Sequence, residues 1–225
     1  MSIEQAVIIG AGTGLSASLA RKLAARGVGL TLAARDPSRL TALTAETGAR
    51  TVAMDGSDPD AMAALFSDLP GPLSVAIYNP SARVRGPVAY LDPDEVRRVI
   101  DVTAFGAFLM GQQAVRAMER NEAPKKGTIL FTGASAGVKG FAQSAPFAMG
   151  KFAQRGLAQS MSRELHPKGI HVAWINIDGS IAKGPGTGTD QLDPDAIADA
   201  YMGLIDQSAS AWSHELTLRP MNESF

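Results

Sequence analysis

The chain contains no cysteine. That excludes disulfides, thiolate metal sites and a cysteine nucleophile, and it fits a reducing compartment. Side chains for acid–base work are scarce too, with three histidines (His166, His171, His214) and three tyrosines (Tyr78, Tyr90, Tyr201). Neither sign of charge dominates. The 21 Lys and Arg stand against 22 Asp and Glu, for a net charge of -1, which argues against nucleic-acid and membrane partners. No apolar run approaches the roughly 18 residues of a membrane span. The opening MSIEQAVIIGAG has no basic segment ahead of its short apolar run, so it does not read as a signal peptide. The expectation is a cytoplasmic protein.

What is present is a core and many turns: hydrophobic residues make up 45% of 225, and 23 are glycine. Short apolar runs alternate with helical patterns. Strands are expected at 6–9, 28–34, 50–54, 73–78, 127–132, 170–177 and 215–218. Helices are expected at 15–26, 37–47, 59–69, 92–121, 145–166 and 194–205. If helical throughout, 92–121 is roughly 45 Å long. Residues 179–193 are rich in Gly and Thr and read as a mobile loop. This alternation predicts one domain over 1–225, an α/β Rossmann-type doubly wound parallel sheet of about seven strands with helices on both faces. A ligand then sits beyond the carboxyl ends of the strands, where strand order reverses.

The first strand runs into Gly10-Ala11-Gly12-Thr13-Gly14-Leu15-Ser16. Glycines opening a helix let backbone N–H groups approach a pyrophosphate. The spacing G-x-G-x-x-G fails at Leu15, whereas G-x-x-x-G-x-G fits apart from Ser16 in its last place. A glycine-rich tight turn with no ligand has the same composition. The second strand ends at Arg35, followed by Asp36. An arginine there suits the 2′-phosphate of NADP(H), which is favoured over NAD(H). Asp36 is placed to cap the helix that follows.

Over nearly its whole length the chain resembles the short-chain dehydrogenase/reductase family. The resemblance is carried by Gly10, Gly14, Arg35, Asp55 in MDGSD, Asn79 in YNPS, GTILFTGASAG and FAMGKFAQRGLAQSMSRELHPKGIHV. It implies a hydride transfer between a nicotinamide and a small carbonyl or alcohol substrate. It implies cofactor contacts at Gly10, Gly12, Thr13, Gly14, Leu15, Arg35, Asp55, Gly56, Asn79, Pro80, Lys151, Gly179 and Ile181.

The family's catalytic pattern breaks here. Its tyrosine position is Phe147, four residues before Lys151; its serine position is Ala134, with Ser135 beside it; its asparagine position is Thr103. The P-G after the sixth strand reads Asp178-Gly179. Phenylalanine cannot exchange a proton, and acid–base catalysis is typically worth about 10²- to 10⁴-fold. Substitutes in reach of the strand ends are Lys151, Ser135, Thr132 and Asp178. Tyr90 and Tyr201 are expected to be half-buried aromatics, although Tyr201 follows the loop and could enter on its closure. His166 and His171 fall on the far side. Ser135 is expected to bond to its own turn.

Three functions remain open at this point. One is an NADP-dependent oxidoreductase with an atypical proton donor. The others are a catalytically inactive cofactor-binding sensor or regulator, and a fold that binds no nucleotide. The resemblance also implies a homodimer or homotetramer, with Phe105, Phe108 and Leu109 and with Phe152, Leu157 and Met161 as the packing face.

Overall fold

The computed structural model describes residues 4–184 and 188–223. Its strands are β1 (Gln5–Ile9), β2 (Gly29–Ala34), β3 (Arg50–Ala53), β4 (Leu73–Tyr78), β5 (Gly127–Thr132), β6 (Ile170–Ile177) and β7 (Glu215–Leu218). Its helices are α1 (Leu15–Ala24), α2 (Thr41–Thr47), α3 (Pro59–Ser67), α4 (Pro93–Ile100), α5 (Gly106–Met118), α6 (Ala145–Leu165) and α7 (Pro194–Asp206). The strands form one parallel sheet in the order β3-β2-β1-β4-β5-β6-β7. The order reverses between β1 and β4, the place where this topology opens a crevice.

Alternate residues of the inner strands feed two cores. Ala6, Ile8, Val75, Ile77 and Leu130 join α1, α2 and α7 on one face. Val7, Ile9, Ala76, Tyr78, Ile129 and Phe131 join α3, α5 and α6 on the other. Every residue of β4, β5 and β6 is buried, as a parallel sheet covered on both faces requires.

Aspartate followed by proline starts three of the helices. The carboxylates of Asp58, Asp92 and Asp193 accept from the amides of Asp60, Asp94 and Asp195 at 2.9, 2.9 and 2.8 Å. Asp36 does the same for Ser38 at 3.2 Å, capping the turn Pro37–Leu40. That turn is a tighter 3₁₀ piece ahead of α2, so the expected helix 37–47 is divided.

The expected helix 92–121 is divided too. α4 and α5 are joined by a π turn, Asp101–Phe105. The Tyr78 hydroxyl donates to the Val102 carbonyl at 2.5 Å and so satisfies an acceptor within the widened turn. Gly106 lets the helix lie directly on this contact. A Cβ there would collide with the Tyr78 hydroxyl and come within 2.5 Å of the Gly56 carbonyl oxygen. The loop at 179–193 is tied by a bridge between Ile181 and Leu192, while its segment 185–187 lies outside the described residues. Among the described residues no helix is long and apolar enough to cross a membrane.

His171 sits near the amino end of β6, away from the crevice. It is fully buried, stacks on Trp212 at 5.0 Å and donates from Nε2 to the Ser213 carbonyl at 2.8 Å. Its Nδ1 has no partner among the described residues. Desolvation pushes its pKa down to about 4 from 6.5, outweighing the Ser213 hydrogen bond. The unfolded chain therefore binds the extra proton first as pH falls. Stability from this group is complete above about pH 6.5 and is lost on descent towards pH 4. Melting temperatures across that range should fall steeply, and His171→Asn should flatten the slope even if it lowers the plateau.

Candidate functional site

Two adjoining clefts, about 870 and 970 Å³, open at the carboxyl edge of the sheet and share Asn79, Ser81 and Arg83. The first is built on the turn after β1. Gly10 has φ +76, and a Cβ there would lie 2.6 Å from the Pro80 ring, so glycine is required on both counts. Ser16 is buried; its hydroxyl donates to the Gly10 carbonyl at 3.3 Å and accepts from Asn79 Nδ2 at 2.7 Å. Serine at this position thus clamps the glycine turn to the end of β4.

α1 begins at Gly14 with no side-chain cap, in contrast to the aspartate-capped helices. Its first amides remain available to an anion, and the helix dipole favours one there. Gly10, Gly12, Thr13, Arg35, Asp55, Gly56, Asn79 and Pro80 all line this cleft. Gly14 and Leu15 do not: the Leu15 side chain is in the core, which leaves only its main chain to meet a phosphate.

Arg35, Arg39 and Arg98 gather at the far end of the same cleft, beyond β2 and β3. Sequence reading found only the first. Asp36 is engaged by Ser38 and by Arg39 at 3.3 Å, so the strand tip presents Arg35. Asp55 accepts from the Ser57 amide and hydroxyl at 2.9 and 2.6 Å. These bonds, with the charges of Arg35 and Arg98, hold its carboxyl below the ordinary aspartate range.

The second cleft gathers Ala134, Ser135, Phe147, Lys151, Gly179 and Ile181. Lys151 is 2% exposed. Its Nζ donates to the Thr132 carbonyl at 2.5 Å and to Gln154 Oε1 at 3.3 Å. Burial, with the Arg83 charge, pulls its pKa down to about 7. Phe147 stands one turn earlier on α6 and is buried. Thr103 is fully buried beneath the cleft, not on its wall. Its carbonyl accepts from Gln154 Nε2 at 3.2 Å and its hydroxyl from the Ala82 amide at 3.3 Å.

Several expected substitutes for the tyrosine are placed elsewhere. Tyr90 is 86% exposed, not half-buried. Tyr201 is fully buried in the α7 core and shares a 2.8 Å hydrogen bond with the Thr132 hydroxyl, so it is fixed behind the cleft and cannot enter with the loop. Asp178 is ion-paired with Arg219, linking the ends of β6 and β7. The Ser135 hydroxyl makes no hydrogen bond to its turn, although its carbonyl accepts from Val138. Among the described residues no cluster of His, Asp and Glu is placed to hold a metal.

The sequence profile described as short chain dehydrogenase matches residues 4–180. The chain belongs to this family. It is 33% identical over 181 residues to a trans-4-hydroxycyclohexanecarboxylate dehydrogenase of Sinomonas cyclohexanicum, a match covering 74% of this chain and 68% of that one. It is 29% identical over 174 residues to the 3-dehydrosphinganine reductase TSC10B of Arabidopsis thaliana, covering 75% of this chain but 52% of the relative. Against some curated relatives, then, the chain spans little more than half their length. A short-chain dehydrogenase from Rhodopseudomonas palustris superimposes with TM-score 0.84 at 35% identity, covering 96% of this chain and 98% of that one. A metagenomic short-chain oxidoreductase in complex with NADP superimposes equally, at 27% identity over 99% of this chain and 100% of its own.

As a short chain dehydrogenase, this protein depends on the close approach at Gly10. Gly10→Ala should lower unfolding stability by about 2 kcal/mol or more, from the left-handed backbone and the Pro80 overlap. Gly12→Ala, which meets nothing within 4 Å, should stay within about 0.5 kcal/mol of the parent. Urea unfolding midpoints of the two variants measure the contrast.

Proposed function

We propose that the protein is an oxidoreductase that uses NADP(H) in preference to NAD(H) on a small carbonyl or alcohol substrate, with Lys151 as the proton donor. The observation that carries this reading is the Lys151 amine, buried on the wall of the substrate-side cleft beside a phenylalanine. The uncapped start of α1 and Gly10, Gly12 and Thr13 would hold the pyrophosphate. Asp55 would meet the adenine, and Arg35 with Arg98 the 2′-phosphate. Held by these residues, a reduced nicotinamide would supply hydride-transfer chemistry at a substrate carbonyl carbon. As the C=O π bond opens, Lys151 Nζ passes its proton to the oxygen. A pKa of about 7 leaves this amine able both to give the proton and to regain it. Ser135 stands beside Ala134 as the hydroxyl available to orient the carbonyl.

Phe147 favours a second reading, a cofactor-binding regulator without turnover, because its ring carries no acidic group. Titration with NADPH followed by Phe147→Tyr separates the two. The oxidoreductase binds NADPH at micromolar concentration and more weakly binds NADH. Its reduction rate declines above about pH 7 as Lys151 loses its proton, and Phe147→Tyr raises the rate about 10²-fold or more. Tight NADPH binding with no turnover in either form supports the regulator.

A second copy of this chain is the proposed macromolecular partner. Phe105, Phe108 and Phe152 on the π turn, α5 and α6 are 41%, 43% and 45% exposed. Leu109 is buried, and Leu157 and Met161 pack against the core, so only the phenylalanines of the expected face are open. Light scattering at micromolar concentration should give a dimer or tetramer mass; a monomer mass rejects the assembly.

A further inference from the structure

The loop from β4 to α4 carries Arg83 and Arg85, which the reading above leaves without a task. Both line the substrate-side cleft. The loop is pinned on each side of them. The Ala82 amide donates to the Thr103 hydroxyl at 3.3 Å, and the Gly86 amide to the Gln143 carbonyl at 3.1 Å. Gln143, whose carbonyl accepts that bond, adopts φ 58, a left-handed backbone held at some conformational cost. The Arg83 guanidinium lies 4.1 Å from the centre of the Phe147 ring, a cation–π contact that holds the charge beside the position vacated by the tyrosine hydroxyl.

No ion pair among the described residues engages either arginine. Glu223, a carboxylate on the same cleft, forms an ion pair with neither among the described residues. Partial desolvation and the neighbouring Arg85 charge pull the Arg83 pKa down, the mark of a cation crowded by another cation. With Lys151, three basic groups share one cleft. Such an arrangement attracts an anion, and a guanidinium meets a carboxylate in a planar, bidentate geometry. The cofactor's phosphates are already assigned to α1 and the Arg35 end. The same wall also carries Phe141, Phe147 and Ile181 among its polar groups, an apolar surface for a short carbon skeleton.

We propose that Arg83 and Arg85 form a carboxylate-recognition site, so that the substrate is a small oxo acid or the corresponding hydroxy acid. This rests on the oxidoreductase reading and adds the substrate class to it. Thr103 acts as a positioning residue for the loop that carries the arginines.

The test pairs each of a 2-oxo, a 3-oxo and a 4-oxo acid with its methyl ester, following NADPH oxidation by the full-length protein. At least one acid should exceed its ester in kcat/KM by about 10- to 100-fold, the scale of a charged hydrogen bond. Arg83→Met/Arg85→Met should abolish that preference while Arg85→Met alone reduces it. Esters turning over as well as acids overturn the proposal. So does a double variant whose NADPH affinity falls by the same factor as its acid turnover, since the arginines then belong to the cofactor site. If nothing turns over, calorimetric titration with malonate against malonamide decides. Saturable malonate binding that the double variant loses supports the site, and no malonate binding overturns it. Failure of the oxidoreductase reading is seen separately, as NADPH binding without turnover of any acid or ester, or as absent NADPH binding in the parent protein.

Discussion

The amine of Lys151 is almost wholly buried, and the site is organised around supplying its hydrogen bonds from protein. The Thr132 carbonyl and Gln154 Oε1 provide acceptors. Each belongs to a wider network. The Thr132 hydroxyl shares a bond with Tyr201 on α7, across the sheet. Gln154 turns its other end to the Thr103 carbonyl on the π turn, and the Thr103 hydroxyl holds the Ala82 amide. One buried cation thereby connects β5, α6, α7, the π turn and the loop over the cleft. Buried polar groups satisfied in this manner specify a single arrangement, because any shift leaves one of them unpaired.

The same network explains why losing the tyrosine need not empty the site of chemistry. Phe147 keeps the ring that packs beside Lys151 and adds a face for Arg83 to rest on. Under the proposed reading, a cleft holding Lys151, Arg83 and Arg85 would favour negative charge, whether developing on a carbonyl oxygen or carried by the substrate. The adjoining cleft is basic too, with Arg35 and Arg98 close enough to act on Asp55 and Arg39 paired with Asp36. A net charge of -1 conceals both concentrations.

Most of the architecture could be read without coordinates. Period and punctuation located all seven strands: the inner ones are short apolar runs bounded by turns because both faces are covered, while the half-exposed edge strands β3 and β7 were marked by their turns and β-branched or apolar residues. The aspartate–proline pairs marked helix starts for a local reason, the capping of amides two or three residues away. The turn at Gly10–Gly14 and the arginine at the β2 tip were visible for the same reason: each follows directly from a strand end. What escaped was any feature set by contacts distant in sequence. The π turn needs the Tyr78 hydroxyl, 24 residues from Val102. The clamp on Ser16 needs Asn79, 63 residues away. Tyr201 reads as a residue free to enter the cleft until Thr132, 69 residues earlier, is seen to hold it in the core.

By itself, then, the sequence determined the doubly wound sheet, the family, the glycine turn after β1 and the absence of a phenol at residue 147. These depend on local periodicity, on chain-adjacent turns and on the identity of single residues. Only the tertiary structure decided what stands in that phenol's surroundings. Burial of Lys151, its pairing with a main-chain carbonyl, and the gathering of Arg83 and Arg85 without a carboxylate partner among the described residues are properties of distance and dielectric. Neither is written in the order of the residues, since a lysine's proton affinity depends on what excludes water from it.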